Sequence, residues 1–150
     1  MVLYLASNTR PDISADVKQC VWFKHNTKAS HKTAVKRICW YLQGTKENGL
    51  LFNPSKELVV DCYTVGHEYP QDLICVRSTT GFVVTFANCP LLWVSKIQTE
   101  IALYTLHSEY VALSHSIRAL LPLKFIIKEV IYNLGIESES LKFISSSIVY

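Results

Sequence analysis

The sequence predicts a mixed α/β fold in which a basic, helical N-terminal segment precedes three strands and two helices. Residues 1–55 carry helical patterns of apolar residues, and residues 101–134 return to that spacing. Between them lie short runs rich in β-branched and aromatic residues, which are typical of strands. A run of strands followed by helices indicates a sheet covered by a helical layer. We therefore predict two parts, residues 1–55 and residues 56–150.

The composition is that of a chain that folds around an apolar core. Of the 150 residues, 49% are hydrophobic and 18% are charged, which excludes a disordered polar chain. Five cysteines without short paired spacings argue against a zinc site. Their odd number and the absence of a signal-peptide pattern lead us to expect free, buried thiols in an intracellular protein, cytoplasmic or nuclear. No apolar run reaches the roughly eighteen residues of a membrane span.

The N-terminal part contains signals for helix ends. The turn Thr9–Asp12 is predicted to start a helix, because its proline and its acid both suit a first turn. Ser30 is predicted to cap the N-terminus of a second helix, and Gly44 its C-terminus. The apolar face of this second helix is predicted at Ala34, Val35, Ile38, Cys39, Tyr41 and Leu42.

Positive charge is concentrated between Lys18 and Lys46, a stretch that contains no acid. A basic stripe of this kind suits phosphates. An ordinary solvated helix face explains it equally well, and a net charge of +3 does not by itself identify a nucleic-acid partner. The candidate nucleic-acid-binding residues are Lys24, Lys28, Lys32, Lys36 and Arg37.

Short apolar runs bounded by turn residues predict three strands, at Glu57–Val65, Thr79–Phe86 and Leu91–Ser95. A turn at Asn88–Pro90 is predicted before the third strand. Two helices follow, at about Ile101–Ser116 and Leu121–Leu134, and Gly135 is predicted to end the second. Residues 144–150 predict the beginning of a further extended segment.

The first of these helices has two neighbouring faces. Large apolar residues recur on one face at Leu106, Tyr110, Leu113, Ile117 and Leu121. Small residues surround Glu109 on the other face, at Thr105, Ala112 and Ser116. Small side chains let a helix approach a sheet closely, so Glu109 is expected to point at a strand end. The alternative is an ordinary solvated helix acid.

A second carboxylate, Asp61, follows the apolar run Leu58–Val60. A carboxylate at the edge of a strand and another on a packed helix form half of a divalent-metal site for phosphodiester chemistry. The sequence therefore indicates Asp61 and Glu109 as a candidate pair.

Five blocks resemble, in the same order, the C-terminal part of the Pol polyprotein of copia-type retrotransposons. They are Leu3–Ile13 ("YL..TRPDI"), His31–Thr45 ("H..A.KRI.RYL.GT"), Arg77–Gly81 ("R-S-x-x-G"), Trp93–Leu103 ("W.SK.Q..IALS") and Glu109–Ser114 ("EY.ALS"). In that family, this part joins the end of the reverse transcriptase to its ribonuclease H domain. The resemblance covers nearly the whole chain, and several ordered blocks are far more specific than a single motif.

The resemblance implies the identity of both parts. Residues 1–55 would be a helical connection segment of the reverse transcriptase. Residues 56–150 would be a partial ribonuclease H-like domain, with three antiparallel strands followed by helices and truncated before the sheet is complete. Asp61 would stand at the first metal-binding carboxylate and Glu109 at the helix carboxylate, where Mg²⁺ helps to cut the RNA strand of RNA–DNA hybrids. The resemblance thus makes both residues candidates for catalysis and for metal binding.

The chain also departs from the family pattern. Tyr63 replaces the second acid of the strand motif, and the family's later acids would lie beyond Tyr150. Because Mg²⁺ needs several converging oxygen ligands, we expect weak Mg²⁺ binding and no catalysis by the chain alone. The expected partners are an RNA–DNA hybrid or other nucleic acid, bound weakly, and the remainder of a Pol polyprotein. No membrane partner is expected.

Three interpretations remain open from the sequence. The first is an inactive relic, and the second is an enzyme completed by a partner that supplies the missing acid and strands. The third is a non-catalytic nucleic-acid-binding module that uses the basic stripe together with Trp22, Trp40 and Tyr41. The helical spacing of these aromatic residues is more typical of core positions than of a stacking platform.

Overall fold

The computed structural model describes residues 1–56, 58–67 and 77–135, without the side chain of His67. Its elements are α1 (Val2–Asn8), a 3₁₀ turn (Pro11–Ile13), α2 (Ser14–Trp22), α3 (Ala29–Gly44), β1 (Val60–His67), β2 (Thr79–Phe86), β3 (Cys89–Ile97) and α4 (Thr105–Asn133). The chain divides into two compact units, Met1–Leu51 and Phe52–Tyr150. The mixed α/β class predicted from the sequence is confirmed.

The three strands form one antiparallel sheet in the order β1-β2-β3. Strand β2 has the predicted bounds, whereas β1 begins three residues later than predicted and β3 extends two residues further at each end. The turn between β2 and β3 consists of Ala87 and Asn88, which have φ of 49° and 66°. Such positive φ values are required by a two-residue hairpin. The predicted turn at Asn88–Pro90 was therefore wrong, because Cys89 and Pro90 already belong to β3.

Helix α4 is one continuous helix of 29 residues, so the prediction of two helices divided before Leu121 is wrong. Pro122 lies inside it. A proline removes one backbone hydrogen bond and usually kinks or breaks a helix. Here Leu120 and Ile127 on either side enter the same apolar core, and this shared burial favours a continuous helix. Gly135, with φ of 66°, follows the helix end as predicted.

Helix α4 packs on one face of the sheet. The buried core consists of Val60, Cys62, Phe82 and Val84 from the strands and Leu120, Ile127 and Ile131 from the helix. Burial of apolar surface contributes about 25 cal/mol per Å² and is the main stabilisation available to this unit. Because side chains alternate along a strand, Asp61, Tyr63 and Val65 lie on the face of the sheet opposite to α4.

The first half of α4 meets the sheet through small residues. Ser108, Ala112 and Ser116 are completely buried. A Cβ added to Gly66 would lie 2.5 Å from the carbonyl oxygen of Ser108 and 2.6 Å from the Cα of Glu109. The face of small residues therefore approaches the sheet closely, as predicted. The exposed large residues of the helix include Leu106, Tyr110, Ile117, Leu121 and Phe125.

In the N-terminal unit, Arg10 ties the turn before α2 to the end of α3. Its guanidinium donates to the Asp12 carboxylate (2.7–3.3 Å), to the Thr45 carbonyl oxygen (2.9 Å) and to Thr45 Oγ1 (2.8 Å). The Tyr41 hydroxyl donates to Asp12 Oδ2 (2.9 Å), and the guanidinium lies 5.6 Å from the centre of the Tyr41 ring. This network closes the unit beside a small core of Ala6, Ile13, Val17 and Ile38.

The beginning of α3 differs from the prediction. The helix starts at Ala29 with Lys28 in the N-cap position, and the Lys28 backbone N–H donates to His31 Nδ1 (3.0 Å). The predicted cap at Ser30 is therefore wrong, because Ser30 already lies inside the helix. Gly44 is the last helical residue and Thr45 takes the C-cap position.

By length and composition, α4 could cross a membrane, and it is the one such helix in the described part of the chain. The 18-residue stretch of α4 that is apolar enough to span has a mean hydropathy of 1.3, and 22% of it is buried inside the protein. The sequence predicted no span here, because its most apolar stretch, Ala119 to Ile131, is broken by Pro122 and by charged residues. A helix packed on its own sheet passes the same test, so length and composition alone do not establish a span.

We predict that Gly66→Ala lowers the free energy of unfolding by about 1–3 kcal/mol, because the new methyl group would meet the backbone of α4. Gly81→Ala is the matched control, since its Cβ would lie 3.9 Å from the nearest atom, a backbone oxygen. Urea unfolding of the full chain, followed by circular dichroism, measures both. Equal unfolding free energies for wild type and Gly66→Ala would contradict the close contact.

A second prediction concerns acid. Hydrogen bonds from Arg10, and secondarily from Tyr41, hold the pKa of Asp12 below its ordinary value of 3.8. A carboxyl whose pKa is lowered on folding stabilises the protein above its unfolded pKa, and this stabilisation is lost as the pH falls through the folded pKa. The difference in unfolding free energy between wild type and Asp12→Asn should therefore be constant above about pH 5 and shrink below about pH 4. Urea titrations across this range test it, with Asp16→Asn as control. A difference in unfolding free energy between wild type and Asp12→Asn that does not change with pH would contradict the prediction.

Candidate functional site

Asp61 is the second residue of β1 and is half-buried. Its Cα pairs with Thr85 of β2. Its neighbours Val60 and Cys62 point into the core beneath α4. Because strand residues alternate between faces, the Asp61 carboxylate is on the side of the sheet that α4 does not cover.

Glu109 lies in the second turn of α4 and is also half-buried. Its backbone N and Cα would lie 2.6 Å from a Cβ on Gly66, which makes Gly66 the β1 residue beside it. Asp61 precedes Gly66 by five residues, or about 17 Å along the strand. The structure therefore does not bring Asp61 and Glu109 together.

The donor set does not fit a catalytic Mg²⁺ ion. Such an ion needs several oxygen ligands at about 2.0–2.1 Å in near-octahedral geometry. Asp61 and Glu109 are on different faces and at different ends of β1. Within residues 1–56, 58–67 and 77–135, no group of three or more His, Cys, Asp or Glu side chains is placed to hold a metal. The assignment of a metal role to these two residues remains a prediction from the resemblance.

Gln98 fixes the beginning of α4 on the sheet, and sequence reasoning did not single it out. Its side chain is 4% exposed, and its Nε2 donates to Thr80 Oγ1 (3.0 Å) and to the Ser108 carbonyl oxygen (2.8 Å). Its backbone N–H donates to the Ser78 carbonyl oxygen (2.8 Å). A single side chain thus joins β2, the end of β3 and the helix turn that carries Glu109. The sequence marks Gln98 only by its position in the block Trp93–Leu103, which resembles the family pattern.

The buried Cys62 thiol is not activated as a nucleophile. Burial raises the pKa of the Cys62 thiol, and a weaker hydrogen bond with Ser116 opposes that shift. A thiol with a raised pKa is neutral at pH 7 and is a poor nucleophile. Cys20, Cys39, Cys62 and Cys89 are free, but only Cys62 and Cys89 are buried as expected, since Cys20 is half-buried and Cys39 is exposed. Cys75 lies outside the described residues.

The predicted nucleic-acid-binding residues are all exposed. Lys24 and Lys28 lie between α2 and α3, and Lys32, Lys36 and Arg37 lie on α3. The spacing of Lys32, Lys36 and Trp40 places them along one side of the helix, and Arg37 lies one turn before Trp40. Trp40 is 64% exposed and Trp22 is 41% exposed, so these rings are not core residues. Tyr41 instead takes part in the Arg10–Asp12 network.

Comparison with known proteins places the chain among transposon sequences. It is 33% identical over 128 residues to the retrovirus-related Pol polyprotein from transposon TNT 1-94 of Nicotiana tabacum, covering 85% of this chain and 10% of the polyprotein. It is 34% identical over 107 residues to the Pol polyprotein from transposon RE1 of Arabidopsis thaliana, covering 71% and 7%. The chain thus spans a tenth or less of these polyproteins.

A shorter relative matches over most of its own length. The secreted RxLR effector protein 161 of Plasmopara viticola is 32% identical over 115 residues, which cover 77% of this chain and 80% of that protein. No family model matches the chain, and no solved structure matches it. The chain thus corresponds to one segment of retrovirus-related Pol polyproteins from transposons.

Proposed function

We propose that the chain is the part of a copia-type Pol polyprotein that joins the end of the reverse transcriptase to a ribonuclease H-like domain, and that it lacks nuclease activity. The five ordered sequence blocks support the copia-type assignment. Three antiparallel strands followed by a helix on one face of the sheet support the ribonuclease H-like assignment. In the family, this region cuts the RNA strand of RNA–DNA hybrids during reverse transcription.

The contact between Gly66 and α4 carries the proposal of inactivity. The β1 residue beside the helix acid Glu109 is a glycine, and a Cβ there would lie 2.5 Å from a backbone atom of α4. A carboxylate could not be placed at this position without moving the helix. Two-metal hydrolysis of phosphodiesters depends on converging carboxylates. Glu109 has no such neighbour on β1.

An enzyme completed by a partner is less well supported. A partner would have to bring several acids to the half-buried Glu109, at a point where β1 and α4 are already in backbone contact.

Non-catalytic nucleic-acid binding is the second candidate function. The observation that favours it is the exposed row of Lys32, Lys36 and Trp40 on α3, with Arg37 beside it. Cations that contact phosphates, next to an exposed aromatic ring on which a base can stack, are typical of sequence-independent binding to single strands. Lys24 and Lys28 extend the same positive surface.

We predict that the purified chain does not cut the RNA strand of an RNA–DNA hybrid with either Mg²⁺ or Mn²⁺. The physical reason is the lack of converging carboxylates around Glu109. A labelled-RNA cleavage assay of wild type, Asp61→Asn, Glu109→Gln and the control Asp16→Asn measures this. Cleavage by wild type and by Asp16→Asn that is lost in Asp61→Asn or Glu109→Gln would contradict the proposal.

We further predict weak, sequence-independent binding of nucleic acid whose affinity falls steeply with salt, because released counterions supply most of the free energy. Neutralising Lys32, Lys36 and Arg37 to Gln should flatten the salt slope by about 0.7–0.9 for each phosphate contact that is lost. A control with the same charge change neutralises Lys46, Lys56 and Lys96. Filter binding at several salt concentrations measures the slope, and an equal slope in both triple variants would place binding elsewhere.

A further inference from the structure

The N-terminal unit contains an open groove between α1, α2 and α3, with a volume of about 610 Å³. Its floor includes Val17 and Ile38, which are 3% and 8% exposed. Its walls include Leu3, Val21 and Val35, which are between 40% and 54% exposed. Exposed apolar walls above a buried apolar floor are a surface that gains free energy when a partner covers it.

The polar residues of the groove are gathered at one end. Lys24, Thr27, His31 and Lys32 come from the connection between α2 and α3 and from the first turns of α3. No acid occurs between Lys18 and Lys46. Asp16 is the acid whose charge acts on a lining residue, Cys20, which lies one turn further along α2. The groove is therefore apolar along its length and cationic at the end formed by the α2–α3 connection.

We infer that this groove binds an amphipathic helix of a partner protein, whose apolar stripe fills the groove and whose acids meet Lys24 and Lys32. The inference is independent of the function proposed above. Helices dock in such grooves through apolar residues at positions i, i+3, i+4 and i+7. The charge at one end of the groove fixes the direction of the bound helix, because opposite charges steer docking and like charges oppose it.

The shape of the groove favours a helix over a small molecule. Small-molecule sites bury about 70–90% of the ligand surface. Walls that are themselves 40–54% exposed cannot enclose a small ligand to that extent. A helix covers the walls with its own flanking residues and so removes both surfaces from water.

Two other occupants are disfavoured by the lining. Nucleic acid needs aromatic platforms or a cationic track along its backbone. The lining of this groove contains no Phe, Tyr or Trp side chain, the ring of its His31 is stacked on Phe23 at 4.3 Å, and its two lysines are Lys24 and Lys32. A second copy of the chain would offer the exposed apolar side of α4. That helix carries three cations, Arg118, Lys124 and Lys128, against the two acids Glu109 and Glu129. A second copy docked through α4 would therefore bring net positive charge close to Lys24 and Lys32.

A pair of designed peptides tests the inference on the full chain. One is a labelled helix of about four turns with Leu at the groove-facing positions and Glu on the flanks. The other carries Lys in place of every Glu. In fluorescence anisotropy the Glu peptide should bind in a saturable way, and the Lys peptide should bind at least about tenfold more weakly.

Substitutions in the groove should reduce binding of the Glu peptide. Val21→Asp and Val35→Asp place a charge on the apolar wall and should each weaken binding by about tenfold. Val65→Asp changes a valine of β1 with similar exposure, 49%, and should leave binding unchanged. Circular dichroism of all three variants checks that the helices are retained.

A charge exchange keeps the test decisive even if a valine variant unfolds. Lys24→Glu combined with Lys32→Glu leaves the floor intact and should reverse the preference, so that the Lys peptide binds better. The control exchanges Lys36 and Lys46, which do not line the groove. Absence of saturable binding, equal affinity for both peptides or an unreversed preference would overturn the inference.

Val21→Asp and Val35→Asp should leave RNA–DNA hybrid binding unchanged. If they weaken hybrid binding instead of peptide binding, the groove is a nucleic-acid site and the inference is wrong.

Discussion

The strand-and-helix unit depends on the contact between Gly66 and the first turns of α4. Because glycine has no Cβ, the backbone of the helix can lie directly on β1 at Ser108 and Glu109. The completely buried Ser108, Ala112 and Ser116 continue this close approach along the helix. Gln98 then secures the Ser108 carbonyl oxygen from the side of β2 and β3. The same contact leaves no room for a side chain on β1 beside Glu109, and the proposed lack of nuclease activity depends on this packing constraint.

The N-terminal unit uses its charged residues differently. Arg10 and Asp12 belong to a sequence block that resembles the family, yet their side chains are occupied with Thr45 and Tyr41 at the end of α3. A bidentate guanidinium–carboxylate pair of this kind fixes geometry as well as contributing free energy. These residues therefore act as scaffold. The cations of the α2–α3 connection and of α3 are exposed, and both proposed binding functions of this unit depend on them.

Local sequence signals predicted the elements well and their environments less well. The bounds of β2 and the helix stop at Gly135 followed from composition and glycine placement alone. The prediction of two separate helices, Ile101–Ser116 and Leu121–Leu134, was wrong, because Leu120 and Ile127 are buried in a shared core and this burial outweighs local preference. Side chains alternate between the two faces of a sheet, but the sequence does not fix the register of β1, and so it does not show which face is covered. The position of Asp61 on the face opposite to α4 was therefore not predicted. The role of Gln98 could not be predicted from periodicity, because one buried polar residue does not form a repeating pattern in the sequence.

Periodicity identified both faces of α4 but could not say which one the sheet would cover. Large apolar residues are expected to be buried first, yet the sheet takes the small-residue face, because Gly66 permits a backbone approach that bulky side chains would prevent. The displaced stripe, including Leu106, Tyr110 and Leu121, remains exposed. It carries few charges that could select a partner, whereas the groove of the N-terminal unit combines apolar walls with cations at one end. Specificity between partners requires both attraction and repulsion, so selective recognition by this chain is expected from the N-terminal groove rather than from α4.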